Sequence, residues 1–266
     1  KYSSTDLPPM IWYTHEAFEQ SIFNSKYSII RETANSMTEC WTGSPLTQRG
    51  LKKICPDLDI KLLLYGVEDI KLPEVKKSNK IEFLFPATIQ HRKGQDVLLK
   101  AIRELPKETI EKANFTIIGD CNQKYLEQIL KISKNIPSVK IISHTIPFEE
   151  LMKYYAKADC IVIPSRFDPM PMVATYAFMF KKLCIMSDVT GTALLVTNNK
   201  NGILFRNGDY IELSIILKNI INNFEQYKPI AQEGYKIYQK HFFMNNFKKN
   251  IEKSLNNILP NFVKKS

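Results

Sequence analysis

Three short stretches gather residue types that could hold an anion. In "HRKGQD", His91, Arg92 and Lys93 precede Gly94 and the start of a helical pattern. Glycine permits close backbone approach, a helix N-terminus offers free N–H groups, and the cations add charge. That combination suits a diphosphate; a solvated basic turn is the plainer alternative. In "IPSRFDPMPMVATYAF" (163–178) an apolar run stops at Pro164 and restarts at Met172. Pro169 and Pro171 stiffen the loop. Met172 and Val173 would offer backbone N–H groups at the next helix start, and Asp168 could accept hydrogen bonds from ligand hydroxyls. A helix-capping role is the alternative for Asp168. In "SDVTGTALL", Thr190, Gly191 and Thr192 form another glycine turn into a helix start. One such turn says little. Three at one sheet edge, without a metal-ligating cluster, point to a phosphate-bearing organic ligand. His15 and Glu16 end a strand near the start of the chain, where a lone histidine is more often structural than catalytic. There is no Ser-His-Asp order, and "GTA" is not a nucleophile elbow.

The elements that would position these residues alternate along the chain. Apolar, β-rich runs at 81–87, 114–120, 139–143, 160–164, 183–188 and 202–205 predict strands. Helical patterns at 94–105, 125–135, 147–158, 172–180 and 209–224 separate them, with a short helix after Gly191. Glu149 and Glu150 sit in a first helical turn, where the helix dipole favours acids. Strand–helix alternation with right-handed crossovers gives an α/β fold with a parallel, doubly wound sheet, a Rossmann-like domain over 73–227. Loops at the carboxyl ends of such strands bind ligands. Residues 1–72 read as part of a second domain of this kind: strands at 9–18, 39–44 and 59–67, and helices at 21–37 and 45–54. A sheet begun this way should have more strands before it, so a preceding segment of roughly a hundred residues is expected. Residues 228–266 form basic helices expected to pack back across both domains.

Composition sets the remaining bounds. With 266 residues, 44% hydrophobic and 24% charged, the chain can bury a real core. No run of eighteen apolar residues predicts a membrane-spanning helix, and "KYSSTDLPPMIWY" lacks the order of a signal peptide. The five cysteines (40, 55, 121, 160, 184) show no close pair and read as reduced thiols of a cytoplasmic protein. Net charge is +10, and from Lys228 onward eight lysines face Glu233 and Glu252, a net +6. A solvated helix face is the simple account. An anionic membrane surface or a phosphorylated substrate is the functional one. Nucleic acid is not expected as a partner, because no zinc spacing, aromatic-basic strand motif or helix-turn-helix pattern accompanies the charge.

The stretches "RKGQDVLLKAI", "FTIIGD", "IPFEELMKYYAKADCIVIPSRFDPMPMVATYAF" and "SDVTGTALLVTNNKNGILFRNGD" resemble, in order and spacing, the donor-binding domain of family-4-like (group 1) glycosyltransferases of the GT-B fold. "WYTHEAF", "TGSPLTQRGLKK" and "LLLYGVEDI" resemble the second half of that family's acceptor-side N-terminal domain and its linker. The resemblance implies that Lys93, with Arg92, binds the donor diphosphate, and that Asp168 contacts the donor sugar. It implies that the backbone of Met170, Pro171, Met172 and Val173 faces sugar and phosphates, and that Thr190, Gly191 and Thr192 form the turn near the donor. The backbone at His144 and Thr145 would line the nucleobase side, and His15 would be the active-site histidine near the transferred sugar. The activity implied is metal-independent transfer, with retention, from a nucleotide-diphosphate sugar to a glycan or lipid-linked acceptor. No cofactor is implied beyond that donor. Same-face attack is implied, the leaving diphosphate being held by cations and helix dipoles. Synthesis of a surface polysaccharide or glycoconjugate follows, in the cytoplasm or at the inner membrane face.

The chain also departs from the family pattern. The family's paired carboxylates lie eight positions apart, and eight beyond Asp168 stands Tyr176. The missing glutamate binds ribose hydroxyls; a tyrosine keeps one hydroxyl but not the bidentate acceptor. Thr88 occupies the place of a second phosphate-binding arginine, Leu194 that of a common acid, and the family's N-terminal glycine-rich loop is not found here. A subunit that keeps the fold and has lost the chemistry is therefore the second expectation.

Overall fold

The computed structural model describes residues 8–16 and 25–263. Residues 17–24, at the start of the helix expected over 21–37, lie outside the described residues, as do Lys264 and Lys265 of the basic tail. The chain divides into two units, Lys1–Glu68 with Lys240–Ser266, and Asp69–Gln239.

The smaller unit has a parallel sheet of β1 (Ile11–Thr14), β2 (Glu39–Thr42) and β3 (Ile60–Leu62), in that order. Helices α1 (Tyr27–Ser36) and α2 (Pro45–Ile54) link the strands. Ser44 caps α2 by accepting from the Leu46 and Thr47 N–H groups, and Pro45 occupies the first turn, where its missing N–H costs nothing. Ala34, Cys40, Leu51, Ile54 and Ile60 make one buried cluster. Trp41, Leu63 and Ile258 make another, joined by Phe247, Ile251 and Leu255 from one stripe of α10 (Met244–Val263). The strand expected over 59–67 is shorter than the pattern suggests. The Leu63 N–H still donates to the Thr42 carbonyl of β2, and beyond it the chain pairs elsewhere: the Val67 N–H donates to the Phe242 carbonyl, and Tyr65 packs on the Phe242 ring.

The larger unit is built on β4 (Ile81–Pro86), β5 (Ala113–Ile118), β6 (Val139–Ile142), β7 (Cys160–Ile163), β8 (Leu183–Ser187) and β9 (Ile203–Phe205). All pairings are parallel, in the order β6-β5-β4-β7-β8-β9. The connections are α3 (Gln95–Arg103) with the short α4 (Lys107–Ile110), α5 (Gln123–Ser133), α6 (Phe148–Lys157) and α7 (Met172–Met179); α8 (Tyr210–Asn222) and α9 (Lys228–Ile237) follow β9. Phe83, Phe115 and Ile117 of the sheet bury against Val97 and Leu98 of α3, Leu126 and Ile129 of α5, and Leu213 and Leu217 of α8. β7 is buried on both faces, which is why it reads as a continuous apolar run. α9 packs on β8 and α7. Winding reverses between β4 and β7, neighbours in the sheet though Cys160 lies 74 positions beyond Pro86. Open α/β sheets place ligands outside the carboxyl ends of the two strands at such a reversal.

All five cysteines are free thiols. No helix among the described residues is long and apolar enough to cross a membrane.

Candidate functional site

The loop after β4 is pinned to the end of β5 by hydrogen bonds from the Ala87 N–H to the Ile118 carbonyl and from the Ile89 N–H to the Asp120 carbonyl. A 3-10 turn, His91–Lys93, follows and ends at Gly94 with φ 77°. A Cβ at Gly94 would lie 2.0 Å from the Pro164 carbonyl oxygen. Only glycine permits both the left-handed backbone and this approach to the loop after β7.

That loop is stitched on both sides. The Arg166 N–H donates to the Arg92 carbonyl at 2.8 Å, and the Gly191 N–H donates to the Asp168 carbonyl at 2.9 Å. Three of the stretches singled out in the sequence thus lie side by side along the carboxyl edge of the sheet. Across the first seam the Lys93 ammonium donates to Asp168 Oδ2 at 2.5 Å, with both side chains largely buried. Arg92, more exposed, reaches the Phe167 carbonyl at 3.4 Å. Helix α7 begins after Pro171 without a side-chain cap. The Asp168 carboxylate is engaged by Lys93, and the capping alternative falls away. The first N–H groups of a helix have no partner within it, and at α7 these are the N–H groups of Met172 and Val173, at this edge of the sheet.

Thr190, Gly191 and Thr192 are buried. Their hydroxyls turn inward: Thr190 Oγ1 donates to the Ser187 carbonyl, and Thr192 Oγ1 lies 3.1 Å from Met170 Sδ. What this turn offers a ligand is its backbone. His144 and Thr145 lie exposed on the loop between β6 and α6. Thr88 is exposed and its carbonyl accepts from Gln95 Nε2. Leu194 is 53% exposed in the 3-10 turn Gly191–Leu195.

Tyr176 sits in an aromatic group. Its ring lies 5.7 Å from Tyr155, 6.0 Å from Phe180, nearly parallel, and 6.4 Å from Phe148. Burial pushes its phenol pKa up, so the hydroxyl stays a neutral donor and acceptor. Phe148 and Met172 remain substantially exposed beside it.

One pair escaped the sequence reading. Arg166 grips Asp96 with two parallel bonds, Nη1 to Oδ1 at 2.8 Å and Nη2 to Oδ2 at 2.7 Å, and the Tyr125 hydroxyl donates to Asp96 Oδ1 at 2.7 Å. Burial alone would raise the Asp96 pKa. The bonds from Arg166 and Tyr125, with the Lys100 charge, outweigh it and bring the carboxyl down to about 2. Both residues stand inside stretches already quoted, but nothing in spacing pairs residues 70 positions apart. Beside them the Gln95 Oε1 and Ser165 Oγ atoms are buried without a partner.

His15 follows the last residue of β1 in the smaller unit, exposed. Its ring packs 4.6 Å from Tyr13, and its carbonyl accepts from Thr47 Oγ1. A Cβ at Gly43 would meet His15 Nδ1 at 2.3 Å, so the glycine makes the seat for the imidazole. Among the described residues no cluster of His, Cys, Asp and Glu could hold a metal ion.

Residues 67–237 match the family described as Glycosyl transferases group 1. The chain is 27% identical over 158 residues to an uncharacterized glycosyltransferase of Methanocaldococcus jannaschii, covering 59% of this chain and 43% of that protein. It is 25% identical over 166 residues to glycogen synthase of Thermosipho melanesiensis, covering 60% and 33%. The chain spans less than half the length of these curated relatives. Among solved structures it resembles Anabaena HepE in complex with UDP and glucose, with a TM-score of 0.80 at 17% identity over 94% of this chain and 72% of that one. It also resembles the sucrose-phosphate synthase of Thermosynechococcus elongatus, with a TM-score of 0.81 at 16% identity over 94% and 68%. The likeness to the two solved structures establishes the GT-B fold.

Proposed function

The chain belongs to the group 1 glycosyltransferases, and from that premise we propose that it binds a nucleotide-diphosphate sugar and transfers the sugar, with retention, to a glycan or lipid-linked acceptor. The observation that carries this reading is the stitched edge: two backbone hydrogen bonds set Lys93, Asp168 and the Thr190–Thr192 turn side by side at the sheet's switch point. An ammonium has three donors, so Lys93 can hold a phosphate oxygen while still serving Asp168. Arg92 adds charge from the same turn. The N–H groups at the start of α7 supply fixed dipoles for the diphosphate as negative charge develops on it. Asp168 then has a free acceptor oxygen for a sugar hydroxyl. His15, also at a strand end, is assigned the transferred sugar, and His144 and Thr145 the nucleobase side. Same-face attack by the acceptor needs no metal when cations and N–H groups hold the leaving group.

The Anabaena neighbour was solved with UDP and glucose, which supports a nucleoside diphosphate in this edge. The exposed lysines of α10 support contact with an anionic membrane surface where lipid-linked acceptors lie. Isothermal titration of the complete protein against UDP-, GDP- and dTDP-sugars tests the reading, and absence of binding to all of them overturns it.

A second reading rests on Tyr176. An aromatic group now occupies the place of a ribose-binding carboxylate, which suits a subunit that binds or assembles without transferring sugar. If the wild-type protein transfers sugar and Tyr176→Glu slows it, this second reading fails.

A further inference from the structure

We propose that Arg166 and Asp96 are positioning residues that lock the Lys93-bearing turn against the loop carrying Asp168. The inference rests on the reading that Lys93 and Asp168 form the donor site. A bidentate guanidinium–carboxylate pair fixes both distance and orientation, unlike a single ammonium contact. Arg166 makes four hydrogen bonds to the β4–α3 segment: two to Asp96, one from Nη1 to the His91 carbonyl at 2.8 Å, and one from its backbone N–H to the Arg92 carbonyl at 2.8 Å. These partners flank Lys93 on both sides. On its own loop, Arg166 lies two positions before Asp168.

The pair is built for rigidity rather than for contact with a ligand. Asp96 is buried, and its Oδ1 is further engaged by Tyr125 from α5. The Tyr125 hydroxyl also lies 3.2 Å from the Asp96 N–H, at the first turn of α3. The neighbouring Gln95 Oε1 and Ser165 hydroxyl are buried and bond to neither member of the pair. With the clamp loosened, the two loops would keep one backbone bond, the long contact from Arg92 to the Phe167 carbonyl and the Lys93–Asp168 contact. That contact is one ammonium on one carboxylate oxygen, which does not by itself fix the orientation of the two loops.

The test follows the Lys93 ammonium directly, in full-length protein with 15N-labelled lysine side chains and no ligand present. The wild type is expected to show a slowly exchanging Lys93 ammonium resonance that Asp168→Asn abolishes. Arg166→Met is expected to abolish it as well, with helix content unchanged by circular dichroism. Retention of the resonance in Arg166→Met overturns the proposal. Should Arg166→Met fail to fold, Arg166→Lys replaces it, keeping charge but losing the bidentate geometry and the His91 contact, and must weaken the same signal. A second readout is a double-mutant cycle on UDP-sugar affinity. Arg166→Met should cost about tenfold or more, and adding Lys93→Ala should cost little further, since both act through one contact. Additive losses overturn the proposal. If no variant binds any nucleotide sugar, the donor reading has failed, while the ammonium resonance still decides whether Arg166 positions Lys93.

Discussion

Lys93 Nζ lies 2.5 Å from Asp168 Oδ2, so the cation assigned to the diphosphate and the acid assigned to the sugar are bound to each other. Asp168 orients that ammonium. Removing the acid should therefore weaken anion binding a little and sugar transfer a great deal. Asp168→Ala is expected to lower affinity for inorganic diphosphate about twofold to threefold, while transfer falls about a hundredfold. Lys93→Ala should lower both. Titration calorimetry and a sugar-transfer assay separate the two effects.

The Asp96 carboxyl, held near pH 2 against an ordinary value of 3.8, gives a pH dependence of defined sign. Its folded-state pKa is depressed, so the stability it adds is present above pH 3.8 and is lost as pH falls through about 2. The shift corresponds to about 2 kcal/mol. Urea midpoints measured from pH 5 to pH 2 should show the gap between the wild type and Asp96→Asn narrowing across that window. A gap that widens on acidification contradicts the assignment.

Gly94→Ala should be severe. The added methyl would meet a carbonyl oxygen at 2.0 Å in a backbone conformation with φ 77°. A loss of about 2–4 kcal/mol is expected from chemical denaturation, with donor affinity falling alongside it because the turn carries Lys93.

At Tyr176 the ring and the hydroxyl can be separated. Tyr176→Phe keeps the packing on Tyr155 and Phe180, so the thermal midpoint should hold within about a degree, whereas a ribose-bearing donor should bind about threefold more weakly. Tyr176→Ala should destabilise by about 3 kcal/mol through the space it leaves.

Much of the larger unit was legible because buried parallel strands read as short apolar runs and the intervening helices as amphipathic ones. "CIVIP" and "LCIMSD" appear as β7 and β8 within a residue or two. The stretches that approach one another were legible too, since glycine turns, prolines and charges cluster after strands. What spacing could not supply was partnership. Arg166 and Asp96 meet only because β4 and β7 are neighbours, and that adjacency follows from the sheet order. The inward turn of the Thr190 and Thr192 hydroxyls was likewise invisible, because a threonine in a glycine turn reads the same whether it faces ligand or core. The shortened β3 follows from a contact with Phe242, 180 positions beyond Leu62 and outside any local pattern.

The smaller unit borrows its last helix from the far end of the chain, with Ile258 buried beside Trp41 and Leu63. On the ribosome, residues 69–239 emerge complete before α10 does, so the larger unit can fold during synthesis while the first strands wait with Trp41 and Leu63 uncovered. During that interval the two apolar side chains are open to misassociation.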